Sequence, residues 1–174
     1  MLNKKEIEYL ESLKKEPLKK ILFVCLGNIC RSPAADGIMK SIVEAKGKAD
    51  EWYIDSAGMG RWHIGDLPDK RMRVHALKRG LVLDHRCRQV NTSDFDEFDL
   101  IIGMDDMNMH DLKQLCPTLE DSRKLMPMGK FLDPSMGYDH VPDPYYDGAQ
   151  GFETVLDLLE KGCENIFDTL SADR

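Results

Sequence analysis

Ile21-Leu22-Phe23-Val24-Cys25-Leu26-Gly27-Asn28-Ile29-Cys30-Arg31-Ser32-Pro33 spells strand, turn and helix start in one continuous segment. The run from Ile21 to Cys25 is apolar without a break, the pattern of a strand buried on both faces in a parallel sheet. Leu26 to Arg31 form a turn, and Ser32-Pro33 opens a helix, with Pro33 expected at the first helical position, where its missing N–H is not needed. Ala34, Ile38, Met39, Ile42 and Val43 supply that helix's apolar face, and Gly47 its C-terminal stop.

The alternation continues outward from this segment. Residues 52–58 read as a second strand, followed by a loop carrying Gly60, Trp62, Gly65 and Pro68. A helix is expected over 69–79, closed by Gly80, then a third strand over 100–104 and a helix over 106–115. Residues 124–127 suggest a short fourth strand. A long loop with Pro134, Gly137, Pro142, Pro144 and Gly148 precedes the clearest helix, where Phe152, Val155, Leu156, Leu159, Cys163, Ile166, Phe167 and Leu170 recur at helical spacing. Strands alternating with helices predict an α/β fold, a three-layer sandwich with a central four-stranded parallel sheet and a phosphate-binding loop after the first strand. Residues 1–19 read as a separate extension: Leu2, Ile7, Leu10 and Leu13 make a loose helical stripe beside Lys4, Lys5, Lys14 and Lys15, and Pro17 ends the pattern. The main domain is expected over 20–174.

The chain has 174 residues, 24 Lys+Arg against 31 Asp+Glu and a net charge of −7. That balance argues against a nucleic-acid binder, which needs a basic face. No apolar run approaches a membrane span, and the N-terminus lacks the apolar core of a signal peptide. Five cysteines, an odd number in a mid-sized chain, do not make a secreted disulfide framework. A reduced, cytoplasmic, monomeric globular domain is expected.

In open α/β sheets, ligands bind beyond the carboxyl ends of the strands. Cys25 stands at such an end, in the pattern Cys25-x5-Arg31-Ser32. The backbone N–H groups of Leu26, Gly27, Asn28, Ile29, Cys30 and Arg31, with a helix dipole behind them, suit an anion cradle. The same positive end favours the nucleophilic thiolate. Arg31 can fork onto two phosphate oxygens, and Gly27 and Asn28 tolerate the positive φ that a loop wrapped round an anion needs. A plainer alternative is that Cys25 is a small core residue at a strand end.

Val24 to Pro33 resembles the phosphate-binding loop of the low-molecular-weight protein tyrosine phosphatases. Four further segments match in order: Asp55-Ser56-Ala57-Gly58; Gly65 with Pro68-Asp69-x-Arg71; Met104-Asp105-x-x-Asn108; and Asp143-Pro144-Tyr145-Tyr146. The resemblance runs from about Lys20 to the C-terminus. It implies hydrolysis of protein phosphotyrosine without metal or other cofactor. Cys25 would be the nucleophile, Arg31 the phosphate clamp and Asp143 the general acid, then the base. Ser32, Ser56, His85 and Asn28 would brace the loop, and Asp105 would be a supporting carboxylate. Trp62, Tyr145 and Tyr146 would flank the substrate ring. Cys30 would be the redox partner of Cys25, forming a reversible disulfide.

For several of these the residues alone allow another part. Asp143 before proline is also a turn former, Asp105 also a helix cap, His85 also a structural histidine, Trp62 also local packing and Cys30 also a spectator thiol. His63 receives no role, and Cys87, Cys116 and Cys163 are expected to pack. Two other activities share the fold. Arsenate reductases need a closely spaced second cysteine pair, which Cys87 and Cys116 do not resemble. Arginine phosphatases typically carry Thr where Ile29 stands. A tyrosine-phosphorylated protein is the expected partner.

Overall fold

The computed structural model describes residues 1–172. In chain order, α1 spans Lys4–Lys14, β1 Lys19–Cys25, α2 Arg31–Ala45 and β2 Trp52–Gly58. They are followed by α3 (Lys70–Lys78), α4 (Asp94–Glu97), β3 (Leu100–Gly103), α5 (Asp106–Leu115), β4 (Leu125–Pro127) and α6 (Gly148–Leu170). Among the described residues, four parallel strands form one sheet in the order β2-β1-β3-β4.

The unbroken apolar run of β1 follows from its central place. Ile21, Phe23 and Cys25 face a core shared with α1, α2 and α6, while Leu22 and Val24 face a second core with Phe95, Ile101 and Leu112. Side chains that alternate across a strand must be apolar on both sides when helices cover both faces. The sheet is thus the middle of three layers, as the sequence predicts.

Three details differ from expectation. Strand β1 starts two residues before Ile21, because Lys19 is buried with its ammonium on the Glu16 carbonyl at 3.0 Å, an apolar stem with a satisfied head. Pro33 is the third residue of α2, not the first. The first four N–H groups of a helix lack intrahelical partners, and the first backbone bond of α2, from Ala34 to Cys30 at 3.2 Å, begins just after the proline. The short α4 was not expected; its Asp94 is buried by the two guanidinium nitrogens of Arg88 at 3.1 and 3.0 Å. Gly47 and Gly80, at φ 70 and 82, end α2 and α3 as foreseen.

Helix α1 begins with a capping box between Asn3 and Glu6. It buries Leu10 and Leu13 in the main core, Tyr9 donates to the Asp99 carbonyl, and Glu6 pairs with Lys130.

Candidate active site

The chain leaves β1 for β2 on one side and later returns to β3 on the other, so the crevice where the strand order reverses lies beyond the ends of β1 and β3. Cys25 ends β1, and Asp105 follows β3 as the N-cap of α5. A cleft of about 260 Å³ opens there. Cys25 and the loop residues Leu26, Gly27, Ile29, Cys30 and Arg31 form its floor; Trp62, His63, Asp143, Tyr145 and Tyr146 form its walls.

The Cys25 sulfur lies 3.4 Å from the Ser32 N–H and 3.0 Å from the Ser32 hydroxyl. That hydroxyl oxygen accepts from Asn28 Nδ2 at 2.8 Å, and its own proton has the Cys25 sulfur at 3.0 Å and the Ala57 carbonyl at 3.4 Å within reach. Asn28 adopts φ 58, a left-handed conformation that asparagine tolerates better than most residues. Its side chain is buried beneath the loop and does not line the cleft. Nδ2 also donates to Ser56 at 3.1 Å, and Oδ1 accepts from His85 Nε2 and from the Arg88 N–H, both at 3.0 Å. Four bonds to one buried side chain thus fix a strained turn. Behind them, His85 Nδ1 stands 3.6 Å from both Asp36 and Asp55, whose charges are balanced by Lys40 and Arg88. Ser32, Ser56 and His85 thus lie under the loop, each hydrogen-bonded to the Asn28 side chain.

Arg31 is 2% exposed. Its Nη1 donates to Asp105 at 2.6 Å and to the Val141 carbonyl at 3.0 Å, and its Nη2 is 3.6 Å from Asp143. Burial opposes its charge, but Cys25, Asp105 and Asp143 around it outweigh that and raise its pKa further. Asp105 does both things its sequence allowed: Oδ2 holds Arg31, and Oδ1 caps α5 on the Asn108 N–H at 2.8 Å. Asp143 lines the cleft, and its Oδ1 accepts the Tyr145 N–H at 3.0 Å, an Asx turn across Pro144.

Several residues at the site carry no legible sequence signal. His63 lies over the loop, with its ring 3.4 Å from where a Gly27 side chain would begin. Cys87, expected only to pack, donates its S–H to the Asn28 carbonyl at 2.8 Å; burial and then Asp66 push its pKa up to about 11. All five cysteines are free thiols among the described residues, and burial and then Asp69 push the Cys30 thiol up as well.

Gly58 explains the end of the Asp55-Ser56-Ala57-Gly58 motif. A Cβ there would lie 2.9 Å from the Asn28 nitrogen, 2.9 Å from the Gly27 carbonyl carbon and 3.0 Å from the Leu26 oxygen. All three are backbone atoms, so no rotamer change relieves the contact. Gly58→Ala is expected to displace the loop and lower kcat about tenfold or more, since ångström shifts of reacting groups are costly. Steady-state kinetics check it; an unchanged kcat would show that the loop tolerates the shift.

Fold and site together describe an α/β protein built to hold an anion beside a thiol. Residues 20–174 match the family model described as low molecular weight phosphotyrosine protein phosphatase, and the chain belongs to that family. A Schizosaccharomyces pombe protein of that name is 42% identical over 154 residues, covering 87% of this chain and 97% of its own. The crystal structure of a protein tyrosine phosphatase from Entamoeba histolytica, with Hepes in its active site, superposes with a TM-score of 0.84 at 42% identity, covering 87% of this chain and 96% of its own. A Drosophila arginine phosphatase structure superposes at 0.79 with 32% identity, covering 89% and 99%. No helix among the described residues is long and apolar enough to cross a membrane.

Proposed function

We propose that this chain hydrolyses phosphotyrosine in proteins, with Cys25, Arg31 and Asp143 carrying the chemistry. The observation that supports it most is the Cys25 sulfur on the cleft floor, in contact with the Ser32 N–H and hydroxyl, with the buried Arg31 guanidinium in the same floor.

The loop N–H groups and the Nε–Nη2 edge of Arg31, whose Nη1 is committed to Asp105 and Val141, hold the phosphoryl oxygens. The Cys25 thiolate attacks phosphorus in line with the leaving oxygen. The P–S bond forms, the P–O bond breaks, and Asp143 gives its proton to the departing phenolate. Water then attacks the cysteinyl phosphate while Asp143 takes a proton from it; the P–S bond breaks and inorganic phosphate leaves. Trp62, Tyr145 and Tyr146 flank the ring, and these aromatic walls favour an aryl ester over phosphoserine.

Ile29 on the cleft floor gives an apolar surface to the ring, where a phosphorylated guanidino group would want polar partners. The deciding experiment compares phosphotyrosine, phosphoarginine and phosphoserine peptides, with arsenate reduction assayed alongside, all in EDTA. Phosphotyrosine turnover well above the rest is expected. Faster phosphoarginine release would assign the chain to the activity named for the Drosophila neighbour, and loss of phosphotyrosine turnover in EDTA would break the metal-free scheme.

A further inference from the structure

The Asp69-x-Arg71 pair stands outside every role given above, although its motif belongs to the resemblance. We propose that Arg71 is a positioning residue for the proton-transfer step, acting through Tyr145 to hold Asp143 at a fixed distance from the Cys25 loop. The inference rests on Asp143 being the general acid.

Asp143 lies on a segment outside helix and sheet, and its side chain is 46% exposed. Its own segment orients it through the Tyr145 N–H on Oδ1, and across the cleft Arg31 Nη2 stands 3.6 Å from Oδ2. Arg71 fixes Tyr145 twice: Nη1 donates to the Tyr145 carbonyl at 3.0 Å, and the guanidinium lies 5.1 Å from the centre of the Tyr145 ring. Arg71 is itself immobilised. Nε and Nη2 fork onto the two oxygens of Asp69 at 3.1 and 2.9 Å, and Phe152 of α6 lies 4.9 Å away.

Asp69 carries the connection to the nucleophile. Its backbone N–H donates to the Ile29 carbonyl, inside the phosphate loop, at 2.8 Å. Its carboxylate also caps α3 through the Arg71 N–H at 2.8 Å. A continuous set of contacts therefore runs from Ile29 through Asp69, Arg71 and Tyr145 to Asp143. Only a planar, five-donor group can fork one carboxylate, reach a carbonyl and lie against an aromatic ring at once. Lysine keeps the charge but not the fork.

The test measures kcat/KM, which includes phenolate departure, over aryl phosphates of increasing leaving-group pKa. Arg71→Met and Arg71→Lys are compared with the parent protein, with Asp143→Ala and with the Arg71→Met/Asp143→Ala double variant. Arg71→Met is expected to lose about tenfold to hundredfold on the poorest leaving groups and little on the best. Arg71→Lys should resemble it, the double variant should be no slower than Asp143→Ala, and competitive inhibition by inorganic phosphate should be unchanged. A loss uniform across leaving groups overturns the proposal. So does a further loss in the double variant, or a lowered melting temperature with the parent's leaving-group dependence. If Asp143→Ala itself shows no leaving-group dependence, the acid assignment fails first; if it does and Arg71→Met does not, only the role of Arg71 falls.

Discussion

Cys25→Ser is expected to bring aryl phosphate turnover down on the order of 10⁴-fold or more, as removal of a nucleophile does in other covalent enzymes. The substitution is nearly isosteric in a buried position and leaves the Ser32 N–H and hydroxyl in place, so the fold should be untouched. A serine hydroxyl at neutral pH is a far weaker nucleophile than a thiolate, and the neighbour in hydrogen-bond contact, Ser32, is another hydroxyl rather than a base. Phosphate binding should persist or tighten, because like charge between thiolate and phosphate is removed. Turnover assays and the rise in melting temperature with added phosphate check both halves. Residual turnover near the parent rate would remove Cys25 from the mechanism.

Arg31→Met should also abolish turnover, yet with a different signature. The buried guanidinium supplies donors to Asp105 and to the Val141 carbonyl. Truncation leaves the carbonyl unpaired and Asp105 to water, since that side chain is 24% exposed. Losing hydrogen bonds to a charged group costs about 2 kcal/mol, or roughly 4–8 °C of melting temperature in a chain of this size. Phosphate should no longer raise the melting temperature. Thermal melts with and without phosphate separate the two variants: Cys25→Ser keeps stability and phosphate binding, and Arg31→Met loses both. A normal melting temperature for Arg31→Met would mean that Asp105 and Val141 find other partners.

The segment from Ile21 to Pro33 made the sheet, the loop and α2 legible because its signals are local: an apolar run, turn residues, a helix start. The cleft beyond the carboxyl end of β1 followed from the same pattern, whereas the order β2-β1-β3-β4 came only with the structure. The proline's place in α2 was misjudged by two positions because several early helical sites tolerate a missing N–H. What stayed hidden depends on contacts between distant segments. The Arg88 N–H on Asn28 Oδ1 arrives from another segment and was not foreseen, while the parts of Ser56 and His85 came from the family resemblance rather than from local pattern. Arg71 reaches Tyr145 across 74 positions of sequence, and no periodicity announces such a pairing. His63 and Cys87 gain their places because loops happen to close over Gly27 and Asn28.

Because every strand points the same way, the reactive apparatus gathers along one rim, opposite the rim where the strands begin and where Tyr9 of α1 is tethered to Asp99. The seven residues of β1 separate the two by roughly 20 Å. Met1 and Leu2 line a groove with Tyr138 and Asp139, close to the mouth, so a bead or fluorescent carrier belongs instead at an exposed position such as Asp50, just before β2, which leaves the mouth open to a bulky phosphorylated polypeptide.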